Sequence, residues 1–252
     1  MLQKQSNTEE LTGNSLFKNC RANSATLIGT IHLDISAYKN LMDLLTQIRP
    51  DCIAVEISPF SVAYRKKHQK YWTDRLEKVK KGLPAEKRGH FRIELLFRQL
   101  KMPFEWETAC LYARQNSIPC TAIDCGEISK KELPLWEKEL INESNLLLAT
   151  SEPDQPIDQY FLRHYRQALR SLAGQDTPWN KPVKLVFDHQ WCKREKILAS
   201  RLLSLSLKYE NVVYIGGWMH LVQGPKIFSL ANLARMAVKE RFLVTGRSVH
   251  KL

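Results

Sequence analysis

The 252-residue chain has no run of about 18 uninterrupted apolar residues, which argues against a transmembrane helix. Its opening stretch, "MLQKQSNTEELTGNSLFKNC", lacks the apolar core of a secretory signal, so a cytoplasmic protein is expected. The six cysteines, Cys20, Cys52, Cys110, Cys120, Cys125 and Cys192, include no Cys-x-x-Cys pair and no regular disulfide spacing. That argues against a zinc ribbon and a disulfide scaffold, and for reduced thiols in or near the core. No repeat of solenoid length and no low-complexity tract is present.

Negative charge is also scarce: 26 Asp and Glu face 38 Lys and Arg, a net charge of +12. Residues 65–92 hold 11 Lys and Arg against 3 Asp and Glu. Such a run is either a solvated helix face or an attachment point for an anionic partner, whether nucleic acid, membrane or acidic substrate. No aromatic-interleaved or helix-turn-helix pattern accompanies it.

What remains is ample material for a core, with 44% hydrophobic residues. Residues 1–24 are polar and read as a flexible arm, and one domain is expected over residues 25–252. "ATLIG" reads as a buried strand, and Tyr38, Leu41, Leu45 and Ile48 then recur at helical spacing, with Ser36 as a candidate cap. "DCIAVEI" follows as a second strand, giving a β-α-β unit of the length a parallel crossover needs. A helix is expected from Ser61 to about Lys81, striped by Trp72, Leu76 and Val79. Trp106, Ala109, Cys110 and Ala113 mark another, before the strand "CTAID". Residues of about 129–187 read as a helical insertion broken at "SEPDQP". A long helix capped by Asp188, the strand "NVVYIGG", a helix beginning at Pro225 and an edge strand "RFLV" complete the pattern. The fold class is therefore α/β, with a mainly parallel central sheet flanked by helices and a helical insertion.

Two of these strands end alike, in Gly29-Thr-Ile-His32 and Gly217-Trp-Met-His220. In open parallel sheets, ligands bind beyond the carboxyl ends of the strands, where both histidines lie. Glu56 ends the strand "AVEIS", where an unpaired buried charge would cost several kcal/mol, so it needs a partner. Two imidazoles and a carboxylate suit a water-bearing divalent transition-metal site holding zinc, manganese, cobalt or iron. A hydrogen-bonded loop histidine is the simpler account of either motif taken alone.

"LIGTIHLD", "PDCIAVEIS", "ETACLYARQNSIPCTAID" and "REKILASRLLSLSLKYENVVYIGGWMHLVQG" resemble, in order, the signature blocks of the TraB/Tiki/GumN group. More distantly they are similar to ChaN-like and erythromycin-esterase-like proteins. The resemblance implies an α/β core with a helical insertion and, from the Tiki members, divalent-metal-dependent peptidase activity. It places His32, Glu56 and His220 at the site as metal ligands, with Arg194 to hold an oxyanion or substrate carboxylate. It also aligns Glu107 with an acidic residue at the head of the mid-chain helix. Asp34 is a candidate for orienting His32, for acting as a base or for capping the next helix, and Asp124 for the pocket. Cys125 stands where relatives often have arginine, and Trp218 and Met219 replace smaller residues.

The expectation is thus a metal-dependent hydrolase acting on a peptide or small molecule. A metal-free variant would use a histidine with Glu56 as acid and base, as in the erythromycin-esterase-like relatives. The alternatives are a binding protein of the same fold that captures a peptide or haem-like ligand, and a polyanion-binding adaptor working through residues 65–92.

Overall fold

Short aliphatic runs punctuated by Asp, Pro and Gly pair into one sheet, because parallel strands covered on both faces need continuous apolar sequence. The structure, a computed structural model, describes residues 24–174, 188–224, 227–235 and 237–252. Its strands are β1 (Ser24–Thr30), β2 (Cys52–Val55), β3 (Cys120–Ala122), β4 (Asn211–Gly217), β5 (Val238–Val244) and β6 (Val249–Lys251). Their order is β3-β2-β4-β1-β5-β6. The first five run parallel, and β6 alone runs antiparallel, against β5. The expected α/β architecture is present. "RFLV", however, lies in the inner strand β5, and the edge belongs to β6, whose "VHK" is too short and polar to stand out by alternation.

Between β1 and β2 runs α1 (Tyr38–Ile48), and between β2 and β3 run α2 (Pro59–Gly82), α3 (Phe91–Leu100) and α4 (Phe104–Gln115). The helical insertion follows β3 as α5 (Glu127–Glu132), α6 (Trp136–Glu139), α7 (Glu143–Ala149) and α8 (Ile157–Leu172). Its expected end, residues 175–187, lies outside the described residues, as do most of the expected N-terminal arm and the expected helix start at Pro225. Then come α9 (His189–Ser206), capped by Asp188 as expected, and the short α10 (Leu230–Leu233), capped by Ser229. Asp34, not Ser36, caps the chain after β1, through a 3₁₀ turn at Ile35–Ala37.

Successive strand residues face opposite layers. Leu27, Cys52, Ala54, Val212 and Tyr214 pack against α9 and α10, while Ile28, Ile53, Val55, Val213 and Ile215 pack against α1 and α4. A separate cluster, around Trp72, Leu76, Ile93 and Trp136, joins α2 and α3 to the insertion. No helix among the described residues is long and apolar enough to cross a membrane.

The two glycine motifs sit side by side because β1 and β4 are neighbours in register, with Gly29 opposite Gly216 and Thr30 opposite Gly217. Close approach demands these glycines. A Cβ on Gly29 would lie 3.0 Å from the Trp218 Cα, and one on Gly216 would lie 2.5 Å from Glu56 Oε2 and closer still to the Tyr214 hydroxyl. Gly216→Ala is therefore expected to lower stability by about 1–3 kcal/mol in urea unfolding, the range for overpacked cores. Gly82→Ala, at an exposed helix end with open space, should leave stability unchanged or slightly raised.

Candidate active site

Four adjacent parallel strands, taken in sheet order, deliver a row of chemical groups at their carboxyl ends. Asp124 follows β3, Glu56 follows β2, His220 follows β4 and His32 follows β1. Segments far apart in the chain meet because β4, last of the four to be made, inserts between β2 and β1. Arg194, from the first turns of α9, reaches over the row.

Glu56 is its centre, with 3% of its side chain exposed. His220 Nε2 stands 2.8 Å from Oε1, and Arg194 Nη2 donates to the same oxygen. The Gly217 N–H donates to Oε2 at 2.6 Å, and the Tyr214 hydroxyl lies 3.3 Å from it. Burial opposes the charge on Glu56, but the charges of His220 and Arg194 outweigh it and hold the carboxyl well below the usual range. Burial likewise opposes charge on Arg194, which Glu56 and Asp124 overcome, raising its pKa. Asp124 grips Arg194 bidentately, Nε to Oδ1 at 2.9 Å and Nη2 to Oδ2 at 2.7 Å. Asp124 is itself tied down, its Oδ1 accepting from the Cys125 N–H at 2.7 Å and its main-chain oxygen from Arg201 at 2.7 Å. Arg194 Nη1 takes no part in these bonds.

The two histidines occupy contrasting settings. His220 is 2% exposed and lies between two carboxylates, with Glu195 Oε1 2.5 Å from its Nδ1. That second contact is a close ion pair. Burial disfavours the imidazolium, yet Glu56 and Glu195 raise its pKa to about 10. The Trp191 ring stacks on it at 5.0 Å and 6°. His220 is thus a buried cation at neutral pH.

His32 keeps 54% of its side chain open to solvent although protein surrounds it on its other sides. Its Nδ1 is 2.9 Å from Glu105 Oε1, and its Nε2 is 3.9 Å from Glu56 Oε2. Burial lowers its pKa, but the hydrogen bond and charge of Glu105, then the charge of Glu56, reverse the sign and leave it raised. Solvent on the open edge screens both carboxylates. The next residue, Leu33, has φ 69°, a left-handed conformation costing about 1–2 kcal/mol for such a residue, and Arg98 Nη1 donates to its carbonyl at 3.0 Å.

Glu105 and Glu195 were not among the expected residues. Glu105 is 3% exposed at the head of α4, and also accepts from Thr30 Oγ1 at 2.9 Å. The buried face of α4 holds Glu105, Thr108 and Tyr112 together with Ala109 and Ala113 of the expected stripe, whose Trp106 and Cys110 are only partly buried. Glu107 therefore lines the outer cleft and does not touch His32, and burial raises its pKa. Glu195 was legible: it is fully buried, on one stripe with Leu198, Ala199 and Leu202. Asp34 stays with Ser36, accepting from its hydroxyl at 2.5 Å and its N–H at 3.3 Å, and does not reach His32.

Two cavities meet at the row. A cleft of about 840 Å³ runs along α2, α3 and the head of α4, and a chamber of about 280 Å³ lies towards α8 and α9. His32, Glu56 and Arg194 line both. The basic segment divides here. Arg65 turns inward, its Nη1 donating to the carbonyls of Gln99 at 2.6 Å and Lys101 at 2.7 Å, which fixes the link into α4 and hence Glu105. Burial lowers its pKa to about 10. Lys66, Lys67, Lys78 and Lys81 face solvent.

The expected metal ligands His32, Glu56 and His220 do converge, but not as a ligand set. Both nitrogens of His220 stand against carboxylates, and Oε1 of Glu56 is held by two cations. An incoming divalent ion would have to displace Arg194 and a proton from His220, so the donor set does not fit one as arranged. Among the described residues no group of three His, Cys, Asp or Glu side chains stands in metal-holding geometry. No family model, curated protein or solved structure matches the chain.

Linkage gives the sign of a pH effect. Because the folded pKa of His220 is about 10 against an ordinary 6.5, its stabilisation is complete below about pH 6.5 and is lost as pH rises towards 10. Thermal unfolding between these pH values should show a steadily falling Tm. Glu195→Gln, which removes one of the two carboxylates, should move the upper end of that window to lower pH.

Proposed function

We propose that the protein is a metal-free hydrolase, of the kind the more distant erythromycin-esterase-like resemblance implies and not the metal-dependent Tiki kind, cleaving an ester or amide with His32 as general base. The observation that supports this is the Glu105–His32 pair. Glu105 accepts from Nδ1–H, which leaves Nε2 as the acceptor at the boundary of the two cavities, 3.9 Å from Glu56 Oε2. The other histidine is charged and buried, and is unsuited to take a proton.

In this mechanism His32 Nε2 removes a proton from water as its oxygen bonds to the substrate carbonyl carbon. Arg194 Nη1, on a guanidinium pinned by Asp124 and Glu56, faces the developing oxyanion. When the intermediate collapses, the bond to the leaving oxygen or nitrogen breaks, and that atom takes the proton from His32. Glu56 and His220 act as positioning residues. A cytoplasmic setting accords with the thiols: none of the five described cysteines is in a disulfide, although the sulfurs of Cys110 and Cys120 lie 3.8 Å apart.

The test is a panel of carboxylic esters and small peptides, assayed with and without EDTA. Turnover should survive EDTA, and His32→Asn should reduce it by about 10²–10⁴-fold with an unchanged unfolding midpoint. Activity should rise with pH as His32 loses its proton, and Glu105→Gln should shift that limb to lower pH because Glu105 raises the His32 pKa. Loss of turnover in EDTA with recovery on adding a divalent ion would sink the metal-free mechanism. Undiminished activity in His32→Asn would remove the assigned base.

A further inference from the structure

The two cavities differ in balance. The larger mixes polar and charged side chains, among them Gln69, Lys101 and Glu107, with apolar ones such as Ile35, Met102 and Phe104, and the smaller is the more apolar. In the smaller, Ile31, Trp191, Trp218 and Met219 supply apolar walls, and Gln167 comes from α8. Trp191 is held in place twice, by its stacking on His220 and by its Nε1–H donating to the Phe228 carbonyl at 2.9 Å. Trp218 and Met219 are the two residues between the glycine and histidine of the second motif. Their place in the motif puts their bulk beside the row of strand ends. His32, Glu56 and Arg194 form the wall shared by both cavities, so a bond attacked at His32 Nε2 has one substituent on each side.

We propose that the substrate is bipartite: a larger, extended portion carrying both polar and apolar groups lies in the 840 Å³ cleft, and one compact aromatic or aliphatic group fills the 280 Å³ chamber. The scissile ester or amide joins them at the shared wall. The assignment of the bond rests on the hydrolase reading above, whereas the chamber as an apolar subsite floored by a guanidinium does not. A compact apolar acid, its ring against Trp191 and Trp218 and its carboxylate at Arg194, satisfies that chamber without turnover.

Binding and turnover are tested separately, on the full chain. Phenylacetate should bind and quench tryptophan fluorescence, with acetate about tenfold or more weaker. Gln167→Trp, which fills the chamber, should abolish phenylacetate binding, and Gln167→Ala should retain it and admit naphthylacetate. In an ester series whose compact group grows from acetyl to phenylacetyl, the parent chain should favour phenylacetyl and Gln167→Trp should favour acetyl, each by about tenfold. Equal affinity for acetate and phenylacetate, or phenylacetate binding unaltered by Gln167→Trp, overturns the proposal. Phenylacetate binding lost in Gln167→Trp without hydrolysis of any ester would support the subsite while removing the catalytic reading.

Discussion

A carboxylate buried at the end of an apolar strand is costly unless donors surround it, and Glu56 is surrounded by four. Arg194, His220, the Gly217 N–H and the Tyr214 hydroxyl come from α9, from the turn after β4 and from β4 itself. Satisfying this one group therefore fixes the position of β4 against β2, the entry of α9 and the turn that carries the second histidine. The glycines answer to the same demand, since a Cβ on Gly216 or Gly217 would invade the space of Glu56 or His32. Asp124 grips the Nε–Nη2 edge of the same guanidinium, which extends the network to β3.

Two motifs of one Gly-x-x-His pattern thereby acquire unlike settings. The first histidine follows a strand flanked by β4 and β5 and opens onto solvent, bonded to Glu105 with Glu56 farther off at 3.9 Å, while the second is pressed beneath Trp191 between two carboxylates. Their settings differ in consequence: one imidazole keeps an edge open to the cavities, and the other is a buried cation between carboxylates. The charge balance of the row also explains why the donor set does not fit a divalent ion, since the positive charge a metal would bring is supplied by Arg194 and His220.

The elements followed closely from pattern. "NVVYIGG" is β4 residue for residue, Asp188 caps α9, and the break in the insertion falls between α7 and α8. Trouble came where helical phase had to be judged from weakly amphipathic sequence. Reading α4 from Trp106 and Cys110 as well as Ala109 and Ala113 set its apolar face slightly off and hid Glu105, because acidic residues in a first turn are usually dipole partners facing water. Arg65 was hidden for a related reason, as one inward-facing cation within a strongly basic run.

By itself the sequence determined the α/β class, the parallel crossovers and the presence of polar groups at several strand ends, since these depend on local periodicity and on glycine placement. Only the tertiary structure decided the strand order, which sets β4 between β2 and β1, and with it which histidine is charged, which carboxylate orients the other, and where the two cavities meet. Such properties arise from distances between groups remote in the chain, which no local pattern of residues encodes.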